Sequence, residues 1–146
     1  MNWLFKEEPG SYSFDDLITD GGTRWSGVKN PLAQIHLRAV RRGDRILYYH
    51  TGKEKAVVGI ARAASPPFPD PDDRSGKRVA VDIVPGRRLR RPVPLAEIKS
   101  RGFFADFPLV RISRLSVMPV NDRQWKEIHK MSVQSPAGTA GGTRGR

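Results

Sequence analysis

The sequence of 146 residues contains no cysteine. This absence excludes disulfides, thiolate-ligated zinc, iron–sulfur clusters and thiol catalysis, and it fits the reducing cytoplasm, where we expect the protein to reside. Its three histidines are His36, His50 and His129, and their spacing is not that of metal ligands. We therefore expect neither a metal nor another cofactor.

Long apolar runs are also missing. The chain starts Met1-Asn2-Trp3-Leu4, without the basic leader and apolar stretch of a signal peptide, and no run reaches membrane-spanning length. There is no glycine-rich phosphate loop, no dinucleotide fingerprint and no serine in the context of a nucleophile elbow. The acidic clusters show no spacing typical of paired catalytic carboxylates. We therefore predict a binding module that is not an enzyme and has no membrane partner.

The chain contains fewer acidic than basic residues. The chain has 26 Lys and Arg against 15 Asp and Glu, a net charge of +11, of which Arg144 and Arg146 are the only contributions from the last twelve residues. A basic domain attracts polyanions, and such binding weakens steeply with salt. Nucleic acid and a merely well-solvated surface both fit this charge. The candidates for phosphate contact are Arg41, Arg42, Arg87, Arg88, Arg90 and Arg91.

The length suits one domain, and the residue pattern predicts five or six short strands with short helices between them. Strands are expected over residues 2–6, 45–50, 56–64, 79–84 and 109–117, and helices after Ser13, Pro31, Pro94 and Asn121. This pattern indicates an α+β domain, a small curved sheet or open barrel with helices at its ends.

The helix from Pro31 should run to about Arg42 and bury Leu32, Ile35, Leu37 and Val40. From about Ser132 the chain is rich in Gly, Ser, Thr, Ala and Pro, which predicts a disordered tail over residues 132–146 and a folded domain over residues 1–131.

Two polar, aromatic segments are the best candidates for a binding site. The first is Trp25–Asn30, where an indole could stack on a base and Asn30 could match a base edge; alternatively, Trp25 lies in the core and Asn30 caps a helix. The second is Tyr48–Thr51, where strand alternation places Tyr48 and His50 on one face and Tyr49 on the other. His50 is a candidate general base or a structural histidine.

The order of these motifs resembles that of the EVE domain. The resemblance starts at Trp3–Pro9 and continues through Trp25–Asn30 and Tyr48–Thr51 to about Met131. It includes further segments at Leu37-Arg38, Gly43-Asp44, Val58–Ala61, Phe68–Asp70, Pro94–Lys99 and Arg114–Val120.

The resemblance implies a PUA-like fold, a small β-barrel with peripheral helices that is related to YTH domains. It also implies a non-catalytic pocket that holds one modified nucleobase, flipped out of DNA or RNA, in a protein that we expect to be a monomer. Lys6 and Pro9 would border this pocket, and Lys6 joins the phosphate-contact candidates. The pocket residues implied are Trp25, Ser26, Gly27, Val28, Lys29, Asn30, Tyr49, His50, Thr51, Phe68 and Asp70.

The chain departs from the family pattern at four places. Lys29 stands where the family commonly has Arg, Thr51 where it has Ser, and Arg78 where it has Trp. Ala33–Ile35 replaces an Ala-Arg-Asn stretch. Two alternatives to base reading stay open: an enzyme acting on a base or nucleotide with His50 as general base, and a sensor of a free nucleoside.

Overall fold

A curled sheet of seven strands forms the centre of the protein in the computed structural model, which describes residues 1–134. A short 3-10 helix covers Gly102–Phe104. The strands are β1 (Asn2–Glu7), β2 (Thr23–Trp25), β3 (Arg45–His50), β4 (Ala56–Ala63), β5 (Phe68–Pro69), β6 (Val79–Pro94) and β7 (Val117–Val120). The helices are α1 (Phe14–Asp20), α2 (Pro31–Arg38), α3 (Leu95–Lys99), α4 (Pro108–Arg111) and α5 (Asp122–Ser132).

The strand order is β2-β6-β4-β3-β1-β7, and β5 adds to β6. Strands β1 and β3 are parallel, and the other pairs are antiparallel. Bulges interrupt the β3–β4 and β4–β6 ladders, and bulges increase local twist and bend a sheet. The result confirms the predicted α+β, PUA-like class, a partly closed barrel with peripheral short helices.

The central strands are buried on both faces, which explains why they read as continuous apolar runs. Trp3, Leu4 and Phe5 of β1 are each at most 1% exposed. In β3, residues 46–49 are all buried. Helix α1 packs Phe14 against Tyr48 on one face of the sheet, and α5 packs Trp125 against Arg45 on the other. Neither face of β1 or β3 is therefore open to solvent along its length.

Helix α1 begins where the sequence predicts. The Ser13 hydroxyl accepts from the Asp16 amide, the Asp16 carboxylate accepts from the Ser13 amide, and Gly21 ends the helix with a φ of 76°. This reciprocal pair satisfies two amides that a helix start leaves free. It fixes the helix that carries Phe14 into the core.

Gly59 of β4 is required because the Phe14 ring lies directly over it. A Cβ built at Gly59 would come within 2.5 Å of that ring, and buried Phe14 has little room to move. We expect Gly59→Ala to lower the free energy of unfolding by about 1–3 kcal/mol, the usual cost of overpacking, as measured by urea denaturation. Gly102→Ala, at a site with no atom within 4 Å of the added Cβ, is the control. Equal stability of the two variants would contradict this packing.

Three elements differ from the expectations. Helix α2 ends at Arg38, and Leu32 and Ile35 are 39% and 60% exposed, so their predicted burial is wrong. The face toward the core carries Ala33, Gln34 and Leu37 instead. The predicted strand over residues 109–117 is also wrong, because α4 occupies its first part and β7 starts only at its end.

The strand expected over residues 79–84 continues to Pro94, so the basic stretch 86–91 lies in the middle of the 16-residue strand β6. Helix α5 is capped by Asn121 and continues through buried Ser132. The predicted tail from residue 135 onward lies outside the described residues. Within residues 1–134, no helix is long and apolar enough to cross a membrane.

Candidate functional site

A cleft opens beside the carboxyl end of β1, between the loop before α1 and strand β2. Its volume is about 200 Å³. That is below the roughly 300–1,000 Å³ of pockets for drug-sized ligands, so it suits a single planar ring. The cleft is lined by Glu7, Tyr12, Thr23, Arg24, Trp25 and Ser26.

Trp25 forms the floor of this cleft and belongs to the core. Its side chain is 6% exposed, and its ring lies 5.3 Å from the Phe5 ring and 5.6 Å from the Tyr48 ring, centroid to centroid. The structure therefore favours the core alternative for most of the indole. A ligand meets only the part of Trp25 that faces the cleft, so Trp25 offers a partial wall rather than an open stacking surface.

The loop after Trp25 is held by two acidic residues of the proline-rich segment. Asp70 Oδ2 accepts from the Gly27 amide at 2.8 Å, and Asp70 Oδ1 accepts from the Asp72 amide at 2.8 Å. Asp72 in turn accepts from the Ser26 hydroxyl at 2.9 Å. Since Asp70 is only 3% exposed, it acts as a buried clamp. Half-buried Phe68 pairs with Ala80 and anchors that segment to β6.

Gln34 fixes the other end of the loop. Its side-chain amide donates to the Val28 carbonyl at 2.8 Å and to the Val79 carbonyl at 3.2 Å, and its oxygen accepts from the Val79 amide at 3.0 Å. Asn30 accepts from the Ala33 amide at 2.9 Å, which is the helix-capping alternative. Lys29 and Asn30 are exposed and do not line the cleft.

His50 uses both ring nitrogens within the protein. Nε2 accepts from the Phe14 amide at 3.0 Å, so the proton is on Nδ1, which donates to Glu54 at 2.7 Å. Its ring also meets the Tyr48 ring edge-on at 5.8 Å. This geometry indicates a structural histidine that positions α1, and it gives no support to a general base. The Thr51 amide donates to the Glu7 carbonyl at 2.9 Å, and this bond connects the residue after β3 to the end of β1.

Tyr49 and Lys6 lie on the opposite face of the sheet from Trp25. The β1–β3 register pairs Lys6 with Tyr49, and Lys6 Nζ lies 5.7 Å from the Tyr49 ring centre and donates to the Ser113 carbonyl at 2.8 Å. Burial lowers the pKa of Lys6 and raises the pKa of Tyr49 to about 12. The structure therefore does not bring these two predicted residues to the cleft.

The predicted phosphate contacts are spread over the molecule. Arg41 and Arg42 come before β3, whose first residue, Arg45, lies roughly 17 Å from His50 at 3.3 Å per residue. Arg88 pairs with Asp15 of α1. Arg91 makes a two-pronged bond to Glu97 at 2.8 and 2.9 Å and also donates to the Gln134 carbonyl, so it is structural.

Of the other two candidates, Arg90 is exposed, and Arg87 contacts His129 of α5 at 2.8 Å.

Four cleft residues were missed from the sequence, namely Glu7, Tyr12, Thr23 and Arg24. Glu7 shares a strand face with Phe5, two residues earlier, which is the signal that could have found it. Burial, the largest cause, raises the pKa of Glu7, and the neighbouring Glu8 charge adds to this rise. Burial likewise raises the pKa of Tyr12, whose hydroxyl donates to Asp20 at 2.7 Å. The cleft thus presents a carboxyl, three hydroxyls and aromatic edges.

The family model for the EVE domain matches residues 1–131. The chain belongs to the EVE domain family. This confirms the family resemblance on which the predicted pocket rests.

Solved structures share the fold of this EVE domain closely. Protein Rpa0253 from Rhodopseudomonas palustris is 45% identical, with a TM-score of 0.85 over 90% of this chain and 92% of that one. Human THYN1 protein, in a complex with DNA containing 5-methylcytosine, is 25% identical, with a TM-score of 0.85 over 92% of this chain and 99% of that one. Among curated proteins, human thymocyte nuclear protein 1 is 27% identical over 93% of this chain and 76% of its own length.

Proposed function

We propose that this EVE domain is a non-catalytic reader of a modified nucleobase in nucleic acid, with 5-methylcytosine in DNA as its ligand. One observation carries the proposal: the human relative with the same fold over 92% of this chain forms a complex with DNA containing that base. The cleft at Trp25 supports it independently, since its size and its mixture of aromatic edges and polar groups suit one flipped base.

The cleft residues have the chemistry that cytosine recognition needs. A carboxylate accepts a hydrogen bond from the cytosine N4 amine, and Glu7 is the carboxyl in the cleft. The hydroxyls of Tyr12 and Ser26 already donate to Asp20 and Asp72, so their oxygens can accept from N–H groups of the base. The ring of Tyr12 and the edge of Trp25 give the 5-methyl group an apolar neighbour.

The free energy of burying one methyl group predicts a modest preference for the methylated base. Extruding a base costs a few kcal/mol, and contacts in the cleft together with phosphate contacts must offset this cost. Burying one extra methyl contributes about 0.8 kcal/mol, close to a fourfold change in affinity. Exposed Arg24 at the cleft mouth would hold a phosphate without adding base preference.

We expect Ser26→Leu to abolish the preference for 5-methylcytosine. The larger side chain would fill the small cleft and lose the hydrogen bond to Asp72, so methylated and unmethylated oligonucleotides should bind equally, and the methylated one about tenfold more weakly than to wild type. Fluorescence anisotropy with matched oligonucleotides at two salt concentrations measures this.

Ser100→Leu, exposed at the end of α3, is the matched control and should keep the preference. Absence of any preference in wild type would overturn the proposal, and so would a preference that survives Ser26→Leu. The same panel made as RNA tests the RNA alternative. The monomeric state and the cytoplasmic location stay predictions.

A further inference from the structure

A second and larger groove lies between the sheet and α5. Its volume is about 440 Å³, and it is lined by Arg45, Ile60, Arg87, Trp125, Lys126 and His129. No carboxylate is among these residues. Within residues 1–134, neither Arg45, Arg87 nor Lys126 takes part in an ion pair. We call this the α5 groove.

Arg45 is held in place at the floor of the α5 groove. Its guanidinium lies 4.3 Å from the Trp125 ring centre, and its Nε donates to the Asn2 side chain at 3.1 Å. Asn2 is 4% exposed and is itself bonded to Asp122 at the start of α5. Because the guanidinium covers Trp125, which is 5% exposed, no base can stack on that indole. The groove therefore offers fixed charge rather than base recognition.

The remaining cations extend this charge along the groove. Arg87 Nη2 lies 2.8 Å from His129 Nε2, and since a guanidinium only donates, the histidine nitrogen accepts and leaves the arginine as the charged group. Exposed Lys126 lies on the same helix. Exposed Arg62 pairs with Arg45 across the β3–β4 ladder. The charge thus continues beyond the groove across neighbouring strands.

We infer that the α5 groove binds the phosphate backbone of the nucleic acid whose base occupies the cleft, several nucleotides away from that base. The inference rests on the proposed function. Arg45 starts β3, and His50, beside cleft residue Glu7 in the register, ends it, so the two sites are separated by roughly 17 Å along the strand. Arg45 also lies on the sheet face of Lys6 and Tyr49, opposite the face of Glu7, so the nucleic acid must pass around the sheet to reach both sites. The path therefore takes more than the roughly five nucleotides that 17 Å spans at 3.4 Å each.

The composition of the α5 groove favours a polyanion over a protein partner. Protein interfaces have a core enriched in aromatic and apolar residues and depleted in charge. Here the aromatic residue is buried, and Ile60 is the one aliphatic side chain among the lining residues. Arg and Lys side chains that form no ion pair within residues 1–134 are instead the usual means of holding phosphates.

The test compares the double variant Arg87→Gln/Lys126→Gln with the control Lys99→Gln/Arg111→Gln, which removes the same charge from α3 and α4 at residues lining neither site. Affinity is measured over a series of salt concentrations for 12-nucleotide and 4-nucleotide strands, each with or without 5-methylcytosine. For the long strand we expect the groove variant to bind about tenfold more weakly, with a salt slope smaller by about two, one per lost phosphate contact. The ratio between methylated and unmethylated strands should not change.

The short strand reaches only the cleft, so we expect the groove variant to bind it as wild type does. Equal losses in the groove and control variants, or a loss that extends to the 4-nucleotide strand, would show a general charge effect and overturn the inference. Unchanged binding of the 12-nucleotide strand by the groove variant would also overturn the inference. In that case a preference of the wild-type protein for the methylated strand would still support the proposed function. Tighter binding of an oligoglutamate than of DNA, lost in the groove variant, would reassign the groove to an acidic protein partner. Thermal denaturation confirms that both variants are folded.

Discussion

Trp25→Ala should destabilise the whole domain, with a loss of about 3–5 kcal/mol in the free energy of unfolding. That is the usual cost of deleting a large core side chain, and the Trp25 ring packs between Phe5 and Tyr48 with 6% of the residue exposed. Since domains are stable by only about 5–15 kcal/mol, a large share of the stability would be lost. Urea denaturation followed by circular dichroism measures the change.

The same variant is a poor probe of base binding because lost binding would follow from lost structure. Trp25→Phe keeps an aromatic ring in the core and should cost clearly less stability than Trp25→Ala. Ile35→Ala, which truncates a 60% exposed side chain, should change stability by at most about 0.5 kcal/mol. A fully stable Trp25→Ala protein would contradict the placement of this indole in the core.

Asp70→Ala should detach the loop after Trp25 from the proline-rich segment. The Gly27 and Asp72 amides would each lose a hydrogen bond to a carboxylate that is 3% exposed, and a hydrogen bond to a charged group contributes about 1.5–3 kcal/mol. We expect a loss of about 2–4 kcal/mol in stability, together with loss of base preference. Native-state hydrogen exchange should be faster at the amides of Gly27 and Asp72.

Asp72→Ala is the matched control for this experiment. Asp72 is exposed, and its side chain accepts one hydrogen bond from the Ser26 hydroxyl, so its loss should change stability by less than about 1 kcal/mol. If Asp70→Ala behaves like Asp72→Ala, the clamp does not hold the loop. An intermediate result for Asp70→Asn, which keeps one acceptor oxygen, would separate hydrogen bonding from charge.

Local signals in the sequence were sufficient to predict the strands β1, β3 and β4 and the helix starts at Ser13 and Asn121. Each of these depends on residues within a few positions of one another, such as the Ser13–Asp16 capping pair. The family resemblance added the PUA-like class and the region of the cleft. Together they predicted Trp25 and Ser26, two of the residues that line the cleft.

The face of α2 could not be predicted from spacing. Leu32 and Ile35 look like core positions, yet Gln34 takes the inner place because its partners, Val28 and Val79, come from two separate segments. Neither partner can be read from the helix itself. Tyr49 was assigned to the pocket by the family resemblance, whereas strand alternation and its pairing with Lys6 across the parallel β1–β3 ladder place it on the other face.

The position of the first strand has a consequence for synthesis of the chain. Strand β1 lies between β3 and β7, so one of its edges stays open until the last strand has been translated. From residue 45 to residue 120 this takes roughly 4–15 seconds at 5–20 residues per second. During that interval Trp3 and Phe5 lack their final neighbours on a nascent chain still attached to the ribosome. An exposed apolar strand edge is what chaperones bind, so production of this domain should depend on chaperone supply more than its small size suggests.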